Sequence, residues 1–187
     1  MMLFYHTARE REAVRAAAWE DTMAIDDRRL EDGQEWRRDP YRISTDRRQV
    51  DLDVVHGFLT TFYWSPGIPR EVVRRALEHS LPFGLYRGPS QIGLARVVTD
   101  YATFAYLCDV FILPDARGQG LGKWLMAVVA DHPALQGLRR WVLTTRDAHG
   151  LYRHSGFTDL AHPERFMERV VLDAYGARGG RTERTDG

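Results

Sequence analysis

The sequence contains one cysteine, Cys108, one lysine, Lys123, and no asparagine among its 187 residues. A single cysteine excludes an internal disulfide and a multi-cysteine metal site, and it favours a reducing compartment. Equal numbers of acidic and basic residues leave no net charge, which argues against partners such as duplex nucleic acid or anionic lipid. No apolar run approaches a membrane-spanning length, and the N-terminus lacks a basic leader. We therefore expect a soluble, cytoplasmic protein.

The length allows one domain. With 44% hydrophobic residues, the chain can bury the core of one α/β domain and is too short for two ordinary domains. Residues 1–39 are charged and poor in aliphatics, and the capping box of Thr7 and Glu10 predicts a short helix in this N-terminal extension. Residues 40–173 carry the predicted domain. Residues 174–187 offer little apolar surface, so we expect a disordered tail.

Apolar periodicity predicts alternating strands and helices between these ends. A turn at Gly88–Ser90 joins two strand-like runs, which predicts antiparallel pairing. The predicted elements are a strand near 41–45, helices near 51–61 and 69–80, strands at 83–88, 91–100 and 102–113, a helix from about 120 to 131, a strand at 139–145, a short helix at 146–156 and a strand at 165–172.

The glycine-rich segment after Leu113 is the most informative part of the chain. A β-branched and aromatic run stops at Pro114, glycines follow at positions 118, 120 and 122, and a helical pattern begins near Gly120. Glycines let backbone N–H groups turn toward one point, and the positive end of the helix adds its partial charge there. The segment therefore predicts a site for an anionic group.

Two common glycine motifs do not fit this segment. The phosphate loop GxxxxGK[ST] requires glycine where Arg117 stands and serine or threonine where Trp124 stands. The dinucleotide pattern GxGxxG is contradicted by the GxGxG spacing from Gly118 to Gly122.

The remaining pattern, Arg117-x-x-Gly120-x-Gly122 within VFILPDARGQGLGKWLM, resembles the acyl-CoA pyrophosphate loop of the GNAT N-acetyltransferase superfamily. The resemblance covers roughly residues 41–171 and extends to the element order β-α-α-β-β-β-α-β-α-β. It implies an α/β (α+β) GNAT fold, with a mixed central sheet of about six to seven strands flanked by about four helices. It further implies direct transfer of the acetyl group of acetyl-CoA to an amine in a ternary complex, without a metal. Homodimers are common in this superfamily.

The resemblance assigns the loop and the strand before it to the cosubstrate. Backbone N–H groups of the loop, supported by the side chains of Arg117 and Lys123, would hold the diphosphate, and the preceding strand would pair with the pantetheine arm. Thr145 stands seven residues before Tyr152, where many family members carry asparagine. The expected cofactor-binding residues are Val110, Phe111, Ile112, Arg117, Gly118, Gln119, Gly120, Gly122, Lys123 and Thr145.

Tyr152, in LYRHSGF, resembles the family tyrosine that protonates the departing thiolate. Asp109 is our candidate for the base, directly or through water, and a structural ion pair with a neighbouring arginine is an equal alternative. His149 is either a proton relay or a surface histidine. Cys108 as an acylated nucleophile would predict ping-pong kinetics, but no adjacent base marks it as activated.

The family's acceptor pocket is framed by the first two helices and the loop between them. In this chain the loop holds Trp64, whose ring suits a pocket wall and equally suits core packing. Arg96 or Tyr101 would hold a substrate carboxylate. We expect a small primary amine as acceptor. A peptide or protein amine, and a non-catalytic acyl-CoA sensor, stay open as alternatives.

Overall fold

The computed structural model describes residues 33–171 and 174–175. The helix expected near Thr7 and the tail from residue 176 onward lie outside the described residues. The strands are β1 (Glu35–Arg38), β2 (Tyr41–Ser44), β3 (Leu81–Arg87), β4 (Ser90–Thr99), β5 (Phe104–Ile112) and β6 (Arg140–Leu143). The helices are α1 (Leu52–Leu59), α2 (Arg70–Glu78), α3 (Leu121–Asp131) and α4 (His149–Arg153).

The strands form one sheet in the order β1-β2-β3-β4-β5-β6. Neighbours from β1 to β5 are antiparallel, and β6 runs parallel to β5. The connection from β5 to β6 passes through α3, as a parallel crossover requires. The predicted class, an α/β protein with a mixed sheet flanked by four helices, is confirmed for the part of the chain that the structure describes.

The core lies on both faces of the sheet. On one face, Leu125 of α3 belongs to a buried cluster with Phe83 of β3. On the other face, Val55 of α1 and Val73 of α2 belong to a cluster with Leu94 of β4. No helix among residues 33–171 is long and apolar enough to cross a lipid bilayer.

Polar contacts at helix ends fix the segment between α1 and α2. The Asp51 carboxylate accepts hydrogen bonds from the N–H groups of Asp53 and Val54 at 2.9 and 3.1 Å, which caps the start of α1. After α1, the Ser65 hydroxyl donates to the Leu59 carbonyl at 2.9 Å. Pro69 then precedes α2. The loop with Trp64 is therefore anchored where it leaves α1.

Strand β1 is an element that the sequence analysis missed. It lies within residues 1–39, the segment expected to be an extension, and pairs with β2 from Glu35 opposite Ser44. Only Trp36 of this strand packs on the core, beside Phe83. Four residues with one inward apolar side chain give too weak an alternation to predict a strand.

The prediction of a strand at residues 165–172 is wrong for the residues of this range that the structure describes. Residues 166–171 form no strand, and Met167 is 98% exposed. Phe166, Val170 and Val171 are residue types common in strands, but a strand also needs a neighbour that completes its hydrogen bonds. None of the described strands pairs with this segment. The described sheet therefore has six strands.

Candidate functional site

Strands β5 and β6 separate halfway along β5. Their pairing ends at Leu107 and Leu143, so β5 continues from Cys108 without β6 beside it. On its other edge, the Leu113 N–H donates to the Ile92 carbonyl of β4 at 2.8 Å. Because the peptide is trans and planar, the carbonyl of residue 112 points the opposite way, into the gap left by β6. The second half of β5 thus presents main-chain groups to an open gap.

A β-bulge shapes the same part of β5. One residue of β4, Ala95, faces two residues of β5, Asp109 and Val110. Asp109 has a left-handed backbone, with φ of 51°, which is uncommon for a residue other than glycine. The Arg96 Nε donates to the Asp109 Oδ2 at 2.6 Å, and the two side chains are only 15% and 13% exposed. A buried ion pair therefore sits at the bulge.

The glycine-rich loop ends in a helix N-terminus that no side chain caps. Gly118 and Gly120 have φ of 78° and 74°, and Gly120 is the residue before α3. The first amide bonded within the helix is that of Trp124, which donates to the Gly120 carbonyl at 3.1 Å. The N–H groups of residues 121–123 therefore have no acceptor within α3. This end of the helix is suited to an anion.

The polar side chains of the loop have separate positions. The Arg117 Nε donates to the Ile112 carbonyl at 2.8 Å, so its guanidinium joins the loop to the open edge of β5. The Gln119 side-chain oxygen accepts from the Tyr41 hydroxyl. Lys123 is exposed on the first turn of α3. Two cations thus accompany the uncapped helix end.

One cleft of about 970 Å³ joins these features. The expected site residues in its lining are Trp64, Arg96, Asp109, Val110, Phe111, Ile112, Arg117, Gly122, Thr145 and Tyr152. Gly118, Gln119 and Gly120 lie outside the lining, in the exposed loop next to it, and Lys123 lies outside it on the first turn of α3. Among the described residues, no group of three or more metal-ligating side chains is present.

Tyr152 lies on the short helix α4, at the wall of the cleft. The Thr145 hydroxyl oxygen accepts from the Ala148 N–H at 3.1 Å, just before the helix begins. Tyr152 is 9% exposed, and its ring meets the edge of Phe157 at 6.1 Å. Burial raises the pKa of the Tyr152 hydroxyl to about 12. The hydroxyl therefore keeps its proton at neutral pH and can act as a donor.

Cys108 and His149, the alternative carriers of the acyl group and the proton, differ in burial and in position. Cys108 lines the cleft, but burial raises the pKa of its thiol to about 12. Because the thiolate is the nucleophile, this burial argues against an acylated Cys108. His149 is exposed and lies outside the cleft lining.

The expectation for Tyr101 requires correction. Tyr101 lies between β4 and β5, before the end of β5 that pairs with β6, and is absent from the cleft lining. It packs against the core instead. Arg96 does line the cleft, but Asp109 already neutralises it, so a substrate carboxylate would have to compete with that pair.

The sequence analysis also missed groups at the site. The side chain of Leu121 is buried core, whereas its backbone N–H at the start of α3 has no acceptor among the described residues. The Arg146 N–H donates to the Tyr63 hydroxyl at 3.3 Å, and its guanidinium carbon lies 3.9 Å from the Tyr63 ring centroid. These residues are 83 positions apart, and no local sequence signal connects them.

Comparisons with known proteins point to one family. The model of the "Acetyltransferase (GNAT) family" matches residues 30–157. "Putative acetyltransferase FG08082" from Gibberella zeae is 36% identical over 142 residues, which cover 64% of this chain and 79% of that protein. The crystal structure of a gnat-family protein (xcc2953) from Xanthomonas campestris pv. campestris has a TM-score of 0.71 and 48% identity, and the match covers 73% of this chain and 97% of that chain.

A more distant structure has the same fold. It is that of a "predicted acetyltransferase with acetyl-CoA" from Clostridium acetobutylicum, with a TM-score of 0.53 and 14% identity. The match covers 75% of this chain and 98% of that chain.

Proposed function

The chain belongs to the acetyltransferase (GNAT) family, and we propose that it transfers the acetyl group of acetyl-CoA directly to the amine of a small molecule in a ternary complex. One observation carries this proposal. A single cleft contains the open half of β5, a residue of the first turn of α3 and the buried hydroxyl-bearing side chain of Tyr152. Acyl transfer from a thioester needs a held donor, an oriented carbonyl and a proton source.

The cosubstrate would lie along the gap between β5 and β6. Backbone N–H groups at residues 118–122, with the Arg117 and Lys123 side chains, would hold the diphosphate at the α3 N-terminus. The Arg117 N–H, also expected in this group, instead donates to the Pro114 carbonyl at 3.1 Å. The main chain of Val110–Ile112 would pair with the pantetheine as a strand does with its neighbour. A backbone N–H of this segment would then stabilise negative charge developing on the thioester oxygen. The Thr145 hydroxyl would support the arm.

Tyr152 would donate its hydrogen bond to the departing sulfur. Its pKa of about 12 lies above that of a free thiol, so proton transfer is favoured only when the sulfur is also buried. The cleft would provide that burial, because its lining next to the residues of α4 is partly apolar and includes Leu151 and Val110. The hydrogen bond from Tyr152 strengthens as negative charge develops on the sulfur. It therefore stabilises the transition state more than the ground state and lowers the barrier to acetyl transfer.

Asp109 would accept the amine proton, directly or through water. Its Oδ2 is held by Arg96, and its Oδ1 has no hydrogen-bond partner among the described residues. The bulge and the ion pair together fix the position of that oxygen at the cleft wall. A fixed acceptor near the thioester is what general-base catalysis requires.

A free-thiol assay with acetyl-CoA and a panel of amines tests the proposal. We expect amine-dependent thiol release, with initial-rate lines that intersect as in a ternary-complex mechanism. The Cys108→Ala variant should retain turnover, because the buried thiol takes no part. Parallel lines, or loss of turnover in that variant, would favour an acyl-enzyme. Tight acetyl-CoA binding without thiol release from any amine would make the protein a sensor.

The Gly122→Ala variant should weaken cosubstrate binding without destabilising the fold. A Cβ at Gly122 would meet Leu151 at 3.8 Å and Ile112 at 4.0 Å, which are ordinary contacts, so alanine fits the protein. The change should raise the free energy of unfolding by up to about 1 kcal/mol, since alanine is the better helix former. It should also raise the Kd for acetyl-CoA about tenfold, because the methyl group enters space left for the diphosphate.

The matched control is Gly57→Ala on α1, where an added Cβ meets nothing within 4 Å. This variant should gain similar stability and keep the wild-type Kd, measured by calorimetry. Unchanged affinity in Gly122→Ala would remove residue 122 from the binding site.

A further inference from the structure

The acceptor end of the cleft has an aromatic wall, defined here as Phe58, Phe62, Tyr63, Trp64 and Phe111. From this wall and the charges beside it we infer that the acceptor is an amine with one positive charge and an aromatic group. The inference rests on the proposed acetyl transfer and names its substrate class.

The wall is a continuous series of ring contacts that runs from the core to the open cleft. Phe111 of β5 stacks on Phe58 of α1 with centroids 3.9 Å apart and rings 12° from parallel, and Phe58 stacks on Phe62 at 4.1 Å. Phe62 meets Trp64 at 4.6 Å, and Trp64 meets the edge of Tyr63 at 5.0 Å. All five rings line the cleft. The wall is therefore rigid at its inner end.

The outer end of the wall is exposed. Phe58 and Phe111 are 9% and 4% exposed, whereas Trp64 and Tyr63 are 39% and 45% exposed. Rings that stay exposed on a firmly packed base offer stacking surface without loss of side-chain freedom on binding. The guanidinium of Arg146 already lies over Tyr63, which leaves Trp64 as the exposed face for a ligand ring.

The charges in the cleft argue against a polycation as acceptor. Its lining contains two carboxylates, those of Asp109 and Asp147, and three guanidinium groups, those of Arg96, Arg117 and Arg146. Asp109 pairs with Arg96, and Asp147 lies 3.5 Å from Arg146. The lining thus carries one guanidinium more than carboxylates, which disfavours an acceptor with several ammonium groups. A substrate with one ammonium group near Asp109 and one apolar ring stacked on Trp64 matches the charges and the aromatic wall of the cleft.

The test compares four amines in the thiol-release assay. These are 2-phenylethylamine, spermidine, phenylalanine and a short peptide with a free N-terminus. We expect the highest kcat/KM for 2-phenylethylamine, at least about tenfold above that for spermidine. Trp64→Ala should raise the KM for 2-phenylethylamine about tenfold and change kcat little, because it removes a stacking face and no reacting group. Trp64→Leu, which keeps apolar volume, should show most of the same loss.

Phe104→Ala is the matched control, since Phe104 is also 39% exposed but lies outside the cleft lining. It should leave the KM unchanged. Calorimetric titration of 2-phenylethylamine into the protein saturated with coenzyme A should show the same Trp64 dependence without turnover.

The outcomes separate this inference from the proposed function. Acetylation of spermidine or the peptide in preference to 2-phenylethylamine, with Trp64→Ala unaffected, would overturn the aromatic acceptor and leave acetyl transfer standing. Preference for phenylalanine would contradict an acceptor whose only charge is its ammonium group. It would indicate that an arginine of the cleft binds the substrate carboxylate. Thiol release from no amine, despite acetyl-CoA binding, would overturn both proposals.

Discussion

Replacing Tyr152 with phenylalanine should lower kcat for acetyl transfer at least about a hundredfold, the range typical of a lost proton donor. The Kd for acetyl-CoA should stay the same, because the change removes one oxygen from a ring that packs against Phe157. The hydroxyl acts only when charge develops on the departing sulfur, so kcat and kcat/KM should fall together. Steady-state thiol release and calorimetry with acetyl-CoA measure the two quantities.

Tyr86→Phe provides the control for this variant. Tyr86 is 1% exposed, burial raises the pKa of its hydroxyl to about 12, and it lies outside the cleft lining. Its hydroxyl oxygen is buried without a hydrogen-bond partner among the described residues. Its removal should raise the free energy of unfolding by about 1 kcal/mol and leave kcat unchanged. Full activity in a folded Tyr152→Phe protein would remove Tyr152 from the mechanism.

Acidification should destabilise the fold through His132. This histidine is 1% exposed between the rings of Trp36 and Phe83, and its Nδ1 accepts from the Ala134 N–H at 3.2 Å. Burial lowers its pKa from 6.5 to about 4. Between these values the unfolded chain binds the proton and the folded chain does not, so stability falls as pH falls from 6.5 toward 4. The difference between the two pKa values corresponds to a loss of at most about 3 kcal/mol in the free energy of unfolding.

Urea unfolding at several pH values measures this loss. His132→Phe keeps a ring of similar size and should be less stable at pH 7, yet its stability should change little between pH 6.5 and 4.5. Asp46, with a pKa lowered to about 2, adds little in this range because it titrates at lower pH. The exposed His79, replaced by glutamine, should leave the wild-type slope intact. If the free energy of unfolding of His132→Phe fell with pH as steeply as that of the wild-type protein, another group would be responsible for the acid sensitivity.

The parts of the molecule that were predictable are encoded locally. The run that ends at Pro114, the glycines at 118, 120 and 122, and the apolar pattern of α3 specify a strand, a turn and a helix within one short segment. Each step depends on neighbouring residues, through proline and glycine backbone preferences and helical periodicity. Fold class and the glycine turn before the uncapped start of α3 follow from such local signals.

The parts that were not predictable depend on tertiary contacts. The left-handed backbone of Asp109 comes from an extra residue in β5, and its ion pair with Arg96 requires the register of β4 against β5. Residues 166–171 include the strand-forming types Phe166, Val170 and Val171 but find no described partner. The pairing of Tyr63 with Arg146 and the failure of Tyr101 to reach the cleft likewise follow from the folded arrangement alone.

The central claim is that main-chain amides at the start of α3 hold a diphosphate beside the open half of β5. Calorimetric titration of the full chain with coenzyme A and with pantetheine, which lacks the diphosphate and the nucleotide, tests it most directly. The account predicts saturable binding of coenzyme A, at least about tenfold tighter than that of pantetheine and weakened by Gly122→Ala. Equal affinity for both compounds, or no heat with coenzyme A, would contradict it.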